Sequence, residues 1–322
     1  MIEIKFFNES DNEFSDIAKI YNLVSHDDKQ HPDDLKDAWL IRDKNHVREK
    51  LLLYENDFLI GFLSYSQGRD ENKFNCYFNI FLNSDSNYKD YSKILFQKLL
   101  IEISKFQCKR LYTEIWDHPN YDNAKSLLIE NKFKESLKSR EYTIKLKELD
   151  FNQYDFINEK MDKIGIQFYD SKYEMKSFTD HYKKLEELEW TYSKDIPAPD
   201  GIKIIREPFE EYMKDVQLFE DKHYAAHIVA LDGDKYIGST DIEVFPKSDS
   251  LTAWTCGLGV LREYRRKGIA TALKLRALKV LYDNGIHFVK TDNEENNPMY
   301  LINENLGFNP EPYCIEYQKD MQ

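Results

Sequence analysis

Apolar residues recur along this chain at two alternating spacings. Leu251 to Val260 is an apolar, β-prone run, and Ala270 to Leu281 repeats apolar residues at helical spacing. Phe288-Val289-Lys290-Thr291 reads as the next strand, and a helix beginning near Pro298 runs to Asn303-Glu304-Asn305-Leu306-Gly307-Phe308. Upstream, Lys163 to Phe168 and His227 to Ala230 read as strands. Glu174 to Trp190 carries a helical pattern (Phe178, Tyr182, Leu185, Leu188) that Asp195-Ile196-Pro197-Ala198-Pro199 breaks, and a further helix is expected over Phe209 to Val216. In the first half, Tyr77 to Phe81 reads as a strand and Ile94 to Leu100 as a helix.

The two halves repeat each other. Glu55-Asn56-Asp57-Phe58-Leu59-Ile60-Gly61-Phe62 parallels Asp232-Gly233-Asp234-Lys235-Tyr236-Ile237-Gly238-Ser239, each an acidic turn leading into a glycine-bearing strand. Leu127 to Phe133 parallels Leu301 to Phe308. The interval from Gly61 to Phe133 is 72 positions and from Gly238 to Phe308 it is 70. So constant an interval predicts a tandem duplication of one α/β unit, with one copy over residues 1–150 and the other over 151–322. At 322 residues, two domains are also the default for size.

Charge and cysteine usage narrow the partners. The 58 acidic against 45 basic residues give a formal charge of −13, which disfavours nucleic acid. No run approaches the roughly 20 apolar residues a membrane helix needs, and Met1 to Lys5 has no signal-peptide core. A cytoplasmic protein is expected. Cys76, Cys108, Cys256 and Cys314 are scattered, with no spacing for a zinc site, so no metal is expected.

The positive charge is local. Arg262-Glu263-Tyr264-Arg265-Arg266-Lys267-Gly268-Ile269-Ala270-Thr271 joins the strand ending at Val260 to the helix after it. Free N–H groups in a helix's first turn, the helix dipole and fixed cations suit a phosphate. Glycine at 268 tolerates backbone angles that other residues avoid. Arg265-x-x-Gly268-x-Ala270, together with Thr291-Asp292-Asn293, Asn296-Asn297, Met299 and Asn303-Glu304-Asn305-Leu306-Gly307-Phe308, resembles the motifs of the GNAT superfamily of acyl-CoA-dependent N-acyltransferases. The helix followed by Asp195-Ile196-Pro197 is similar to tandem-domain members related to mycothiol synthase.

The resemblance implies two tandem GNAT folds of α/β (α+β) class, each a mixed, splayed, mostly antiparallel sheet flanked by helices. It implies acetyl-CoA as co-substrate and acetyl transfer to a primary amine, which we take to be that of a small molecule, with a homodimer left open. Leu258, Gly259 and Val260 would pair with the pantetheine arm, and the Val260 N–H would polarise the thioester carbonyl. Arg265, Arg266, Lys267, Gly268, Ile269, Ala270 and Thr271 would hold the pyrophosphate, with Asn296 or Asn297 on the arm. Many family members carry a tyrosine acid where this chain has Asn303, and Tyr300 is the nearest substitute. Glu243 and Asp241 share a strand face with Ser239, and Glu243 is the candidate base; His223 and His227 are others. The alternatives are an acetyltransferase acting on a protein or peptide amine and a non-catalytic acyl-CoA-binding or scaffold protein. In the first copy, Ser84 to Ser92 has no glycine and carries Asp85 and Asp90, so that copy reads as degenerate.

Overall fold

A computed structural model of the chain describes residues 1–40, 42–83 and 87–321. The chain divides into two compact units: unit 1 comprises Met1–Ser139, Ala198–Ile205 and Pro312–Gln322, and unit 2 comprises Arg140–Pro197 and Arg206–Glu311. No helix among the described residues is long and apolar enough to cross a membrane.

Unit 1 runs β1 (Ile2–Phe6), α1 (Asp11–Val24), α2 (Pro32–Leu40), β2 (Arg48–Glu55), β3 (Phe58–Gln67), β4 (Asn75–Leu82), α3 (Tyr88–Ile103), β5 (Arg110–Trp116), α4 (Asp122–Glu130) and the start of β6 (Lys134–Lys145). The C-terminal strand β12 (Asn309–Asp320) lies beside β5, giving the order β1-β2-β3-β4-β5-β12. All these neighbours are antiparallel except β4 and β5. One core packs α3 and α4 against Leu51, Leu63, Phe78 and Leu111, and another packs α1 and α2 against Leu52 and Phe62. Leu51 and Leu53 of β2 enter the first core and Leu52 between them enters the second, so successive side chains serve both faces.

Unit 2 continues with α5 (Asp155–Lys163), β7 (Ile166–Asp170), α6 (His181–Ser193), α7 (Phe209–Leu218), β8 (Tyr224–Asp232), β9 (Lys235–Phe245), β10 (Asp249–Val260), α8 (Ile269–Asp283), β11 (Phe288–Glu294) and α9 (Tyr300–Asn305). Its order is β11-β10-β9-β8-β7, with only β10 and β11 parallel. α8 buries Ile269, Ala272, Leu273, Ala277, Leu278 and Leu281 on one side of the sheet, and α6 packs Leu185 and Leu188 on the other. The mixed, splayed, helix-flanked sheet expected from the sequence is what each unit contains.

The repeat extends to backbone detail. The β2–β3 and β8–β9 hairpins carry a register irregularity at the same place, so Gly61 lies opposite Leu53 and Gly238 opposite Ala230. Gly61 in turn faces Leu82, and Gly238 faces Val260. Lys132 takes the left-handed conformation (φ 62°) that Gly307 takes (φ 86°) in the other copy. Two boundaries differ from the expected ones. The helix expected from Glu174 begins at His181, because the preceding residues form successive turns (Phe178 N–H to the Met175 carbonyl, 2.8 Å) and Asp180 takes the left-handed conformation at φ 55°, which interrupts a helix. The strand expected from Lys163 begins at Ile166, after α5 ends and Gly165 turns at φ 74°.

Candidate active site

β10 is half released from its sheet. It pairs with β9 as far as Val260 opposite Gly238, but with β11 only over Thr252, Ala253 and Trp254. Past Trp254 the two parallel strands part, leaving the remainder of β10 with an open edge. Cys256 forms a bulge between Thr255 (opposite Ile242) and Gly257 (opposite Asp241). The Leu261 N–H donates to the Ile237 carbonyl at 2.9 Å. Because an antiparallel ladder alternates its direction, the backbone groups of Leu258 and Val260 face the open edge. The Val260 carbonyl accepts from Arg265 Nε at 2.9 Å.

The turn after β10 is held by its own charges. Arg262 and Arg265 both grip Asp195, which follows α6, and their guanidinium groups hold its carboxyl well below the usual carboxylate range. The Arg265 N–H also donates to the Arg262 carbonyl (3.3 Å), so both its main chain and its side chain are engaged within the turn. Arg266 adopts φ 63° and Gly268 φ 92°. Gly268 is the N-cap of α8 and no side chain caps that helix, so its first N–H groups point outward beside the exposed Arg266 and Lys267. A Cβ on residue 268 would meet nothing closer than Lys160 Nζ and Met161 Cε at 3.8 Å. Glycine is required there by backbone angle rather than by crowding.

On the face of β10 toward α6, both glycines are required by close approach. A Cβ on Gly259 would fall 2.2 Å from the Tyr192 ring, and one on Gly257 would fall 2.4 Å from Asp241 Oδ1. The Tyr192 hydroxyl meets Ser239 Oγ at 3.1 Å. Around it, Glu189 accepts from the Tyr212 hydroxyl (2.9 Å) and lies 3.3 Å from His227 Nε2. Glu243 lies 4.0 Å from His223 Nδ1. Burial pushes Asp241 up to about 6, with Glu189 and Glu243 adding to the shift and His227 opposing it. Burial opposes charge on His227, but neighbouring Glu189 and Asp241 hold its imidazole above its ordinary pKa. Asp241 and Glu243 thus share a face with Ser239, as strand alternation predicts.

Asn303, at the position where the resemblance leads one to look for a tyrosine, is 2% exposed. Its side-chain oxygen accepts from the Lys274 ammonium, and its amide donates to Asn293 Oδ1 at 2.5 Å. Burial pushes Lys274 down to about 7, and Asp292 offsets part of that. Tyr300 opens α9 and packs partly buried against the core. Asn296 is tied to Glu294 (2.8 Å), and Asn297 Oδ1 accepts from the Met299 N–H at 3.1 Å.

The structure therefore gathers Leu258, Gly259, Val260 and residues 266–271 at one strand-to-helix junction, with Asp241 and Glu243 on the neighbouring strand. Sequence reasoning missed Glu189, Tyr192, Tyr212, Asp195 and Lys274. Glu189 and Tyr192 fall three positions apart on one helix, a signal that was available. Lys274 stood out as a lone cation on the apolar face of α8. Tyr212 gave no local signal, and Asp195 was legible only as part of the helix-breaking Asp195-Ile196-Pro197, not as the partner of Arg262 and Arg265. Among the described residues, no group of three His, Cys, Asp or Glu side chains could hold a metal ion.

The Acetyltransferase (GNAT) family matches residues 183–308. N-alpha-acetyltransferase 30 of Schizosaccharomyces pombe is 30% identical over 112 residues, covering 33% of this chain and 71% of that protein. A solved tandem GNAT protein from the clavulanic acid biosynthesis pathway aligns over 99% of this chain and 98% of its own, with a TM-score of 0.76 at 14% identity. A GCN5-related N-acetyltransferase from Sphaerobacter thermophilus aligns over 99% and 95%, with a TM-score of 0.71 at 12% identity. With its open β10 edge, its uncapped α8 and these relatives, the chain belongs to the GNAT family of acetyltransferases.

Proposed function

We propose that residues 151–322 act as an N-acetyltransferase domain that moves an acetyl group from acetyl-CoA to the primary amine of a small molecule by direct transfer, and that residues 1–150 are a degenerate copy without that activity. The observation that carries the reading is the open edge of β10 running directly into an uncapped helix start. The N–H groups from Arg266 to Thr271 would receive the pyrophosphate, with Arg266 and Lys267 supplying fixed positive charge. The role of Arg265 is to hold the turn, through the Val260 carbonyl and Asp195. Leu258 and Val260 offer the main-chain groups an extended amide arm needs, and Asn296 or Asn297 lies in the loop before α9.

Acetyl-CoA bound there supplies an activated thioester carbonyl. The Val260 N–H is aimed at the open edge, where a developing oxyanion needs a donor. Glu189, Asp241 and Glu243 attract an ammonium group, and Asp241 or Glu243 takes its proton so that the amine attacks in neutral form. Tyr300 is the nearest phenol available to protonate the leaving thiolate. The crowded, acidic, aromatic face between α6 and β10 favours a small cationic acceptor.

A second reading is favoured by the match to N-alpha-acetyltransferase 30: the acceptor is a peptide α-amine. Both readings are tested by calorimetric titration of acetyl-CoA into the wild type and a Gly268→Glu variant, then by thiol release with polyamines, amino-acid derivatives and short peptides. One-to-one binding lost in the variant, with turnover on small amines, is the expected result. Turnover confined to peptides selects the second reading. A folded wild type that binds no acetyl-CoA removes both and leaves a scaffold role.

A further inference from the structure

Unit 1 contains a cavity for which acetyl transfer in the other copy has no use. β4 and β5 are parallel neighbours over three pairs, Asn75 with Arg110, Cys76 with Leu111 and Tyr77 with Tyr112. Beyond these, β4 stays paired with β3 as far as Leu82, and β5 stays paired with β12 as far as Trp116. Each strand keeps its outer partner while the inner edges part. Asn79 and Thr113 bridge the base of the gap at 3.0 Å. Above them lies a cavity of about 180 Å³. The cavity is partly open to solvent, and its volume is of the order of the ~150 Å³ that admits benzene in an apolar site.

The lining states what would fit. Tyr21, Phe78, Phe81, Tyr88, Trp116 and Tyr121 contribute six aromatic rings. No Lys or Arg among the described residues lines the cavity, and its one carboxylate, Glu114, is exposed. Burial raises the Tyr121 phenol to about 12 and the Tyr21 phenol further, so both are neutral. The indole N–H of Trp116 is buried and has no hydrogen-bond partner among the described residues. An aromatic, cation-free cavity beside a buried, unmet indole donor suits an uncharged acceptor.

A coenzyme A phosphate finds no counterpart here. The first turn of α3 carries the carboxylate of Asp90, which repels a phosphate. Ser84, Asp85 and Ser86, counted in the sequence reading against a phosphate, lie outside the described residues. The bulge that shapes β10 has no equivalent in the regular β3–β4 register.

We propose that the gap between β4 and β5 binds a small, uncharged aromatic carbonyl compound, its ring among the aromatic side chains and its oxygen on the Trp116 N–H. This site is independent of acetyl transfer. The test is calorimetric titration of the full chain with benzamide and with benzoate, which has the same shape but is an anion. Benzamide should bind one site with a dissociation constant below about 1 mM, and benzoate at least tenfold more weakly. Trp116→Phe keeps a ring and removes the donor, so affinity should fall about five- to tenfold. Ala124→Phe fills the cavity from α4 and should abolish binding, while Gly268→Glu should leave it unchanged. Circular dichroism checks the fold of each variant, and Ala124→Leu replaces Ala124→Phe if the latter does not fold. The proposal is overturned by absence of benzamide binding to folded wild type, by equal or tighter benzoate binding, by binding that survives the folded cavity-filling variant, or by loss of binding in Gly268→Glu.

Discussion

The ring of Tyr192 lies against the backbone of Gly259, so close that a Cβ on residue 259 would sit 2.2 Å from its Cγ. One residue on α6 thereby determines which residue β10 can carry beside its open edge. Gly259→Ala must displace Tyr192 or bend β10, and overpacking of this kind costs about 1–3 kcal/mol. Chemical denaturation should show that loss, and acetyl transfer should fall with it. Tyr192→Phe removes only the hydroxyl bond to Ser239 and should change stability by about 1 kcal/mol. Equal stability of Gly259→Ala and wild type would mean that Tyr192 does not occupy this position in solution.

Asp241 should govern the acidic limb of activity. Burial sets its pKa at about 6, with Glu189, Glu243 and His227 around it, and only the carboxylate can accept a proton. The ratio kcat/KM should therefore rise with pH through about 6. Asp241→Asn should remove that limb and lower kcat by about a hundredfold or more. Glu243→Gln should lower turnover less and leave acetyl-CoA affinity unchanged. A limb persisting in Asp241→Asn would pass the role to another group.

Lys274 should leave a signature in stability. Its folded pKa of about 7 lies below the unfolded value near 10.4. Below pH 7 both states carry the proton, whereas between about 7 and 10 only the unfolded state does. Stability should therefore rise with pH in that window, by up to about 1.4 kcal/mol per pH unit from this group alone. Denaturation midpoints compared with Lys274→Met isolate the term, since that variant should show a flatter profile. Parallel profiles would mean that Lys274 is charged or exposed in the native protein.

The basic turn should divide by function. Arg262 is committed to Asp195, whereas Arg266 and Lys267 are exposed beside the start of α8. Arg266→Ala and Lys267→Ala should each weaken acetyl-CoA binding several-fold at low salt and less at high salt. Arg262→Ala should act mainly on stability. A larger loss of affinity in Arg262→Ala than in the other two would reverse this assignment.

Much of unit 2 was legible because its elements announce themselves locally. The apolar run to Val260, the basic turn and the helical spacing after Gly268 are properties of neighbouring residues, and so is the repeat of the Asn56-Asp57 and Gly233-Asp234 hairpins. The α6 start differs from the expected one because Asp180 is left-handed and the residues before it form turns, backbone features that side-chain periodicity does not register. The acidic face beside β10 was half legible: strand alternation and residue type named Asp241, Glu243 and His227, whereas Glu189 and Tyr212 reach them from helices whose packing no local pattern gives.

What the sequence by itself determined is the family, the duplicated unit and the strand–turn–helix with glycine at 268, because each depends on local backbone preference and hydrophobic period. Tertiary structure alone decided that Asp195 is gripped by Arg262 and Arg265, that Lys274 is buried against Asn303, and that β4 and β5 open onto an aromatic cavity. Those outcomes follow from which strands keep which neighbours and what fills the space between them, and a residue's sequence neighbours carry no information about either.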